Sequence, residues 1–286
     1  MNSSQLLGLT TLGYLLSSAL YLGLLLFRVR GIVGRIASGI TIMFFLLQTA
    51  GIGLRWYESY QLGIGHAPLT NMYESLVFFA WTITIFYLVM EYKFKTQVIG
   101  AFAMPFACIA MAYASLAKGI NQQITPLIPA LQSNWLIAHV VTCFIGYGAF
   151  AVAGGLGLMY LLKDSDRDKE KNGPMNSSED TLPELAVIDD ITHKTIVFGF
   201  LWLSAGIITG AIWANEAWGT YWSWDPKETW SLITWFLYAS TLHARFTRGW
   251  QGRRIAWLAM LGFISVFFTY FGVNYLLAGL HSYGSS

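Results

Sequence analysis

The sequence predicts an all-α integral membrane protein of about eight transmembrane helices, a single polytopic domain over residues 1–286 with both termini on the outer side. Three observations lead there. Apolar types make up 55% of the chain and charged types 11%, against roughly 25% charged in soluble domains; so little charge cannot cover a water-facing surface. Eight apolar stretches meet or approach the about 20 helical residues that cross a bilayer core of about 30 Å. The basic residues fall mostly between alternate pairs of those stretches.

The stretches run near Leu6–Phe27, Ile36–Leu54, Leu69–Met90, Val98–Ala117, Trp135–Leu162, Thr195–Asn215, Pro226–Ala244 and Ile255–Leu280. The seventh is the shortest; the fifth and eighth are long enough to tilt or protrude. The first does not read as a signal peptide, because no basic residue precedes it and Arg28 and Arg30 follow it directly. The loops after stretches one, three, five and seven hold 14 of the 17 Lys and Arg, leaving Arg55, Lys118 and Lys227 on the other side. Cytoplasmic loops carry the excess of Lys and Arg, so the side holding three is the outer one. The inner segment 163–194, rich in Lys, Asp and Glu and carrying Asn172-Gly173-Pro174, reads as a solvated linker without chemistry.

Composition also excludes. A net charge of +2 with no basic stripe excludes nucleic acid as a partner. Cys108 and Cys143 form no CxxC, so they read as small buried apolar residues and not as a thiol-redox or zinc motif.

Six of the twelve tryptophans lie between Trp213 and Trp235. The outer segment 213–230 reads Trp213-Ala-Asn-Glu-Ala-Trp218-Gly-Thr-Tyr-Trp222-Ser-Trp224-Asp225-Pro-Lys227-Glu228-Thr-Trp230. An interfacial belt would spread its rings over many helix ends; this density reads as a planar aromatic platform. A flat, mostly apolar ligand with an anionic edge, such as a porphyrin, suits that surface. Lys227 is the basic group at hand for the anionic edge. Asp225-Pro226-Lys227-Glu228 fits a helix start, with Asp as N-cap, Pro at the first position and Glu three residues on. Capping is therefore the first role of Asp225 and Glu228.

Histidine is the commonest side-chain metal ligand. His139 lies one turn into the fifth stretch, with Trp135 four residues before it, and His281 ends the eighth; both fall at the level of the tryptophan segment. Two imidazoles from different helices at one level could ligate one iron from opposite sides, or each could serve as an interfacial residue bonded to headgroups. His243, near the inner end of the seventh stretch, is either an inner-leaflet ligand or a snorkelling side chain. His193 reads as an exposed boundary residue. His66 lies in the outer loop before the third stretch, where it could meet the platform or be solvated. Arg55 is a second candidate for an anionic group, and Glu74 sits in a first helical turn, where the helix dipole favours it.

The run Trp218-Gly-Thr-Tyr-Trp222-Ser-Trp224-Asp225-Pro-Lys-Glu228-Thr-Trp230 resembles the WWD signature of haem-handling proteins. The loop from His66 to Ser75, the start Trp135–His139 and the end from Asn274 to Tyr283 resemble the CcsA/ResC family of cytochrome c biogenesis proteins within that superfamily, in its cyanobacterial and plastid branch. The resemblance implies an outer haem site at the tryptophan segment with His139 and His281 as axial ligands. It implies an inner haem site with His243 and a ligand from a separate ResB/CcsB-type membrane partner. It also implies cytochrome c haem lyase (synthase) activity: haem b, bound as substrate, would pass from the inner site to the outer one. There it would be joined to the thiols of a CxxCH apocytochrome c kept reduced by thiol-reducing proteins. The membrane would be a bacterial plasma membrane or a thylakoid membrane. The resemblance leaves a haem exporter without ligase activity as an alternative. From the residues alone, a b-type membrane redox cytochrome would need two transmembrane His pairs, which the inner side does not supply. A transporter would need mid-span charges, which are nearly absent.

Overall fold

The computed structural model describes residues 2–27, 31–171 and 182–277. They form long helices, successive ones running in opposite directions: α1 (Ser3–Phe27), α2 (Ile32–Gln61), α3 (Met72–Phe94), α4 (Gly100–Leu116), α5 (Asn134–Lys171), α6 (Leu185–Trp218), α7 (Pro226–Arg248) and α8 (Arg253–Phe267). α8 runs through a π-helical turn, Phe268–Gly272, into the short α9 (Val273–Leu276). A 3-10 turn, Pro129–Leu131, interrupts the connection between α4 and α5.

Among the described residues, seven helices are long and apolar enough to cross a membrane, counting α8 to α9 as one. The expected seventh span forms α7, of 23 residues, but it is not among those seven. Its sequence mixes apolar positions with Lys227, Glu228, His243, Arg245 and Arg248. It pairs with α8 and α6.

Two helices reach further than expected. α5 spans 38 residues, about 57 Å at 1.5 Å per residue, well beyond a bilayer core. Both flanks of the 163–194 segment are helical, since α5 runs through Lys171 and α6 starts at Leu185. The charged run carries no helix breaker before Asn172-Gly173-Pro174. Tertiary bonds also hold the flanks: Lys163 Nζ donates to the carbonyls of Leu182 (3.0 Å) and Pro183 (2.7 Å). Asp189 accepts from Arg245 Nη1 (2.6 Å) and the Gly252 N–H (2.7 Å), tying α6, α7 and the start of α8 together. Of the expected linker, 172–181 lie outside the described residues.

α5 is the central helix, packed on α6, α8, α3 and α4. Its glycines let neighbouring backbones touch it. A Cβ at Gly155 would fall well inside contact distance of the Phe102 carbonyl oxygen, so no larger residue fits that crossing. One end of the bundle gathers the loop 62–71, the connection 117–133 and the tryptophan loop. This is the tryptophan end; the connections α3–α4, α5–α6 and α7–α8 lie at the opposite end.

Candidate haem-binding cleft

The tryptophan end holds a cleft of about 210 Å³. Its walls are the start of α5 (Leu136, His139, Val140, Cys143), the end of α6 (Gly210, Trp213, Trp218), Tyr221 and Trp222 of the loop, and Lys227, Glu228 and Ser231 of α7. Phe144, Tyr147, Thr269 and Tyr270 also line it. The strap Ile128–Leu131 closes a side.

His139 is half-buried in the second turn of α5. Its Nδ1 lies 2.8 Å from the Gly206 carbonyl oxygen of α6. A carbonyl can only accept, so Nδ1 carries the proton and the ring lone pair is on Nε2, the form that binds metal. Cys143, one turn further along α5, places Sγ 3.6 Å from the same Nδ1. The ring stacks on Trp213 with centroids 5.8 Å apart and planes at 22°. Trp213 is 4% exposed, and its Nε1–H donates to the Ala130 carbonyl of the strap at 2.9 Å.

The tryptophan loop is shorter than the 213–230 segment read from sequence. α6 continues through Trp218 and ends on Gly219, whose φ of 79° makes the left-handed cap. α7 starts at Pro226, leaving 219–225 as loop. The start is the expected capping box: the Asp225 side chain accepts from the Lys227 N–H at 2.9 Å, and Glu228 Oε2 accepts from the Asp225 N–H at 3.2 Å. Glu228 also accepts from the Ser223 N–H at 2.8 Å, so one carboxylate organises the whole turn.

The indoles do not form a planar platform. Trp213 and Trp218 meet at 65°, and Trp222 and Trp224 at 88°, the edge-to-face arrangement that ring quadrupoles favour. Trp218, Trp222 and Lys227 line the cleft, whereas Trp224, Asp225 and Trp230 do not. Trp224 is 69% exposed and takes the left-handed conformation, φ 59°, which turns its ring outward. Trp230, at the start of the second turn of α7, packs instead on Phe268 of the π-helical turn, centroids 4.2 Å apart. The Trp222 Nε1–H is buried and has no hydrogen-bond partner among the described residues. A buried unpaired donor costs roughly 1–3 kcal/mol, and this one belongs to a ring on the cleft wall.

His281 lies outside the described residues, which end at Leu277. His243 is exposed on α7 at the opposite end, in a shallow groove of about 380 Å³ with Trp235, Ser240, Arg248 and Trp250. His193 is half-buried, edge-on to Phe246 at 5.3 Å.

Two outer-loop candidates are occupied elsewhere. His66 is buried; its Nδ1 lies 2.9 Å from the Ala67 carbonyl and its Nε2 3.1 Å from the Thr125 carbonyl, and it does not line the cleft. Arg55 is buried against Glu74 (Nε to Oε1, 2.8 Å) and donates to the Gln122 (2.9 Å) and Gln123 (3.2 Å) carbonyls. Arg55 and His66 thus anchor the far part of the connection whose strap borders the cleft, in place of holding a ligand. Sequence reasoning missed the strap, the glycines of α6 and the π-helical turn that brings Thr269 and Tyr270 to the cleft. That turn has no sequence signature; π-turns do recur at functional sites.

Comparison with known proteins agrees with this architecture. Residues 69–281 match the family model described as cytochrome C assembly protein. The cytochrome c biogenesis protein CcsA of Guillardia theta is 41% identical over 277 residues, covering 92% of this chain and 90% of the relative. CcsA of Pyropia yezoensis is 39% identical over 307 residues, covering 95% and 94%. CcsA of the cyanobacterium Parasynechococcus marenigrum is 43% identical over 258 residues, covering 84% and 83%. With seven apolar helices among the described residues and these cyanobacterial and plastid-type relatives, the chain is a multi-pass protein of the plasma or thylakoid membrane. It belongs to the cytochrome c assembly protein family.

Proposed function

We propose that this chain, whose family places it in cytochrome c maturation, holds haem in the cleft at the tryptophan end and presents it for covalent attachment to a CxxCH apocytochrome c. The observation that carries the reading is the state of His139. Its Nδ1–H is committed to the Gly206 carbonyl, which makes Nε2 the ring atom suited to iron, and the residue lines a cleft walled by apolar rings. The Trp222 N–H, without a partner among the described residues, and the cleft-lining Lys227 suit the anionic propionates of the substrate. His281, which lies outside the described residues, would be the other ligand by the family resemblance. By the distribution of basic residues, this end faces the outer side.

Two imidazoles would hold the iron while the open side of the cleft leaves the vinyl groups accessible. Each reduced cysteine S–H then adds across one vinyl double bond. Sulfur bonds to the carbon next to the ring and hydrogen goes to the terminal carbon, with no net electron transfer. The chain contributes position, bringing thiol and vinyl into one geometry; Asp225 and Glu228 stay in their capping roles. The client must arrive reduced, which requires thiol-reducing partners. The groove at His243 would receive haem b first, with the other ligand supplied by a ResB/CcsB-type partner seated on α7. That placement accounts for the polar, exposed stripe Ser240–His243–Thr247 on a helix otherwise among apolar ones.

The test is co-expression with a ResB-type partner and an apocytochrome in a host without its own maturation system. Covalent haem on the cytochrome, lost in the His139→Ala, His281→Ala double variant, is the expected result. Non-covalent haem reaching the outer side without thioether formation would instead make the chain an exporter.

A further inference from the structure

We propose that Gly206 and Gly210 of α6 form a cradle that positions the His139 imidazole, setting its tautomer, its rotation and hence its strength as an iron ligand. This rests on the reading of His139 as that ligand.

The two glycines lie four residues apart and so share a helix face, the one turned to α5. Each meets a different part of the same α5 turn. A Cβ at Gly210 would stand 2.5 Å from His139 Nδ1 and 2.7 Å from Cε1, so even alanine would displace the ring. A Cβ at Gly206 would stand 2.5 Å from Cys143 Sγ and 3.2 Å from the Cys143 nitrogen, so a larger residue would push on the α5 turn that brings His139 to the Gly206 carbonyl. That carbonyl takes the Nδ1–H at 2.8 Å. Trp213, one turn beyond Gly210, supplies the nearly parallel ring. Hydrogen bond, steric floor and stacked indole together leave the imidazole one orientation.

The chemical consequence follows from how metal-bound histidines are tuned. A partner on the non-ligating nitrogen fixes the tautomer, raises the basicity of the other nitrogen and holds the ring plane; losing it costs roughly 10–100-fold in metal affinity. Gly206 does not line the cleft and Gly210 borders it beside the His139 ring; the effect of both runs through His139, so they are positioning residues. The spacing Gly-x-x-x-Gly, elsewhere read as a helix-packing device, here serves a side chain.

The test uses the full chain purified with its ResB-type partner. Gly210→Ala should lower haem retention at the outer site roughly 10–100-fold and shift the absorption spectrum and midpoint potential towards those of His139→Ala, while His243→Ala leaves the cradle's spectral signature intact in whatever haem reaches it. A Gly210→Ala complex with wild-type spectrum, potential and retention overturns the cradle. Should that variant fail to accumulate, His139→Gly vacates the space that the new Cβ would need. Added imidazole should then restore ligation with Gly210 present and require at least about tenfold more imidazole in His139→Gly, Gly210→Ala. An equal response in the two backgrounds overturns the cradle. His139→Gly with an unchanged outer-site spectrum refutes the ligand reading itself, a separate failure.

Discussion

The Trp213 indole lies nearly parallel to the His139 imidazole, centroids 5.8 Å apart, while its own N–H reaches the Ala130 carbonyl. One buried side chain therefore links the candidate iron ligand to the strap that borders the cleft. Trp213→Leu removes a ring contact worth about 0.5–1.5 kcal/mol and leaves the Ala130 carbonyl without its indole donor. Haem retention should fall several-fold, with insertion into the membrane unchanged; haem dissociation from the purified complex measures it.

Trp222 and Trp224 are two residues apart but face different surroundings. Trp222→Phe deletes the buried N–H; a hydrogen bond to a charged group is worth about 1.5–3 kcal/mol, so retention should drop at least about tenfold if that donor meets a propionate. Trp224→Gly removes an exposed ring and relieves a left-handed backbone, a strain of about 1–3 kcal/mol. It should leave retention unchanged and raise the unfolding temperature. Equal losses in the two variants would return both rings to a common role.

Arg55 and Glu74 form an ion pair with side chains 3% and 1% exposed. Removing one partner of such a pair strands a buried charge and costs about 3–5 kcal/mol. Arg55→Ala should lower the unfolding temperature in detergent markedly and, by freeing the Gln122 and Gln123 carbonyls, make the 117–133 connection more protease-sensitive. Protection equal to wild type would separate the strap from this anchor.

His243→Ala should reduce the haem that reaches the tryptophan end while the protein still accumulates in membranes. Quantifying outer-site haem by its spectrum in the purified complex checks this. Full loading would remove the opposite-end groove from the route.

Features encoded within one helical turn are legible in the sequence. The Asp225–Glu228 capping box lies within four consecutive positions and forms as read. The long apolar stretches become long helices, and His139 and the tryptophan segment fall at one end because alternation along the chain requires it. The reading fails where neighbours in space are distant in sequence. Arg55 and His66 look available for a ligand, but carbonyls 67 and 59 positions away claim them. The indoles look coplanar because spacing carries no dihedral angles.

Composition and periodicity alone determined that this chain is a helical membrane protein with its tryptophans concentrated in one segment, since solvation by lipid leaves a backbone few alternatives to the helix. Only the packing of α5 on α6 decided which nitrogen of His139 carries the proton, which indoles line the cleft and which glycines must stay glycines. Those are matters of a few tenths of an ångström between residues such as His139 and Gly206, 67 positions apart, and no local pattern encodes a distance across that gap.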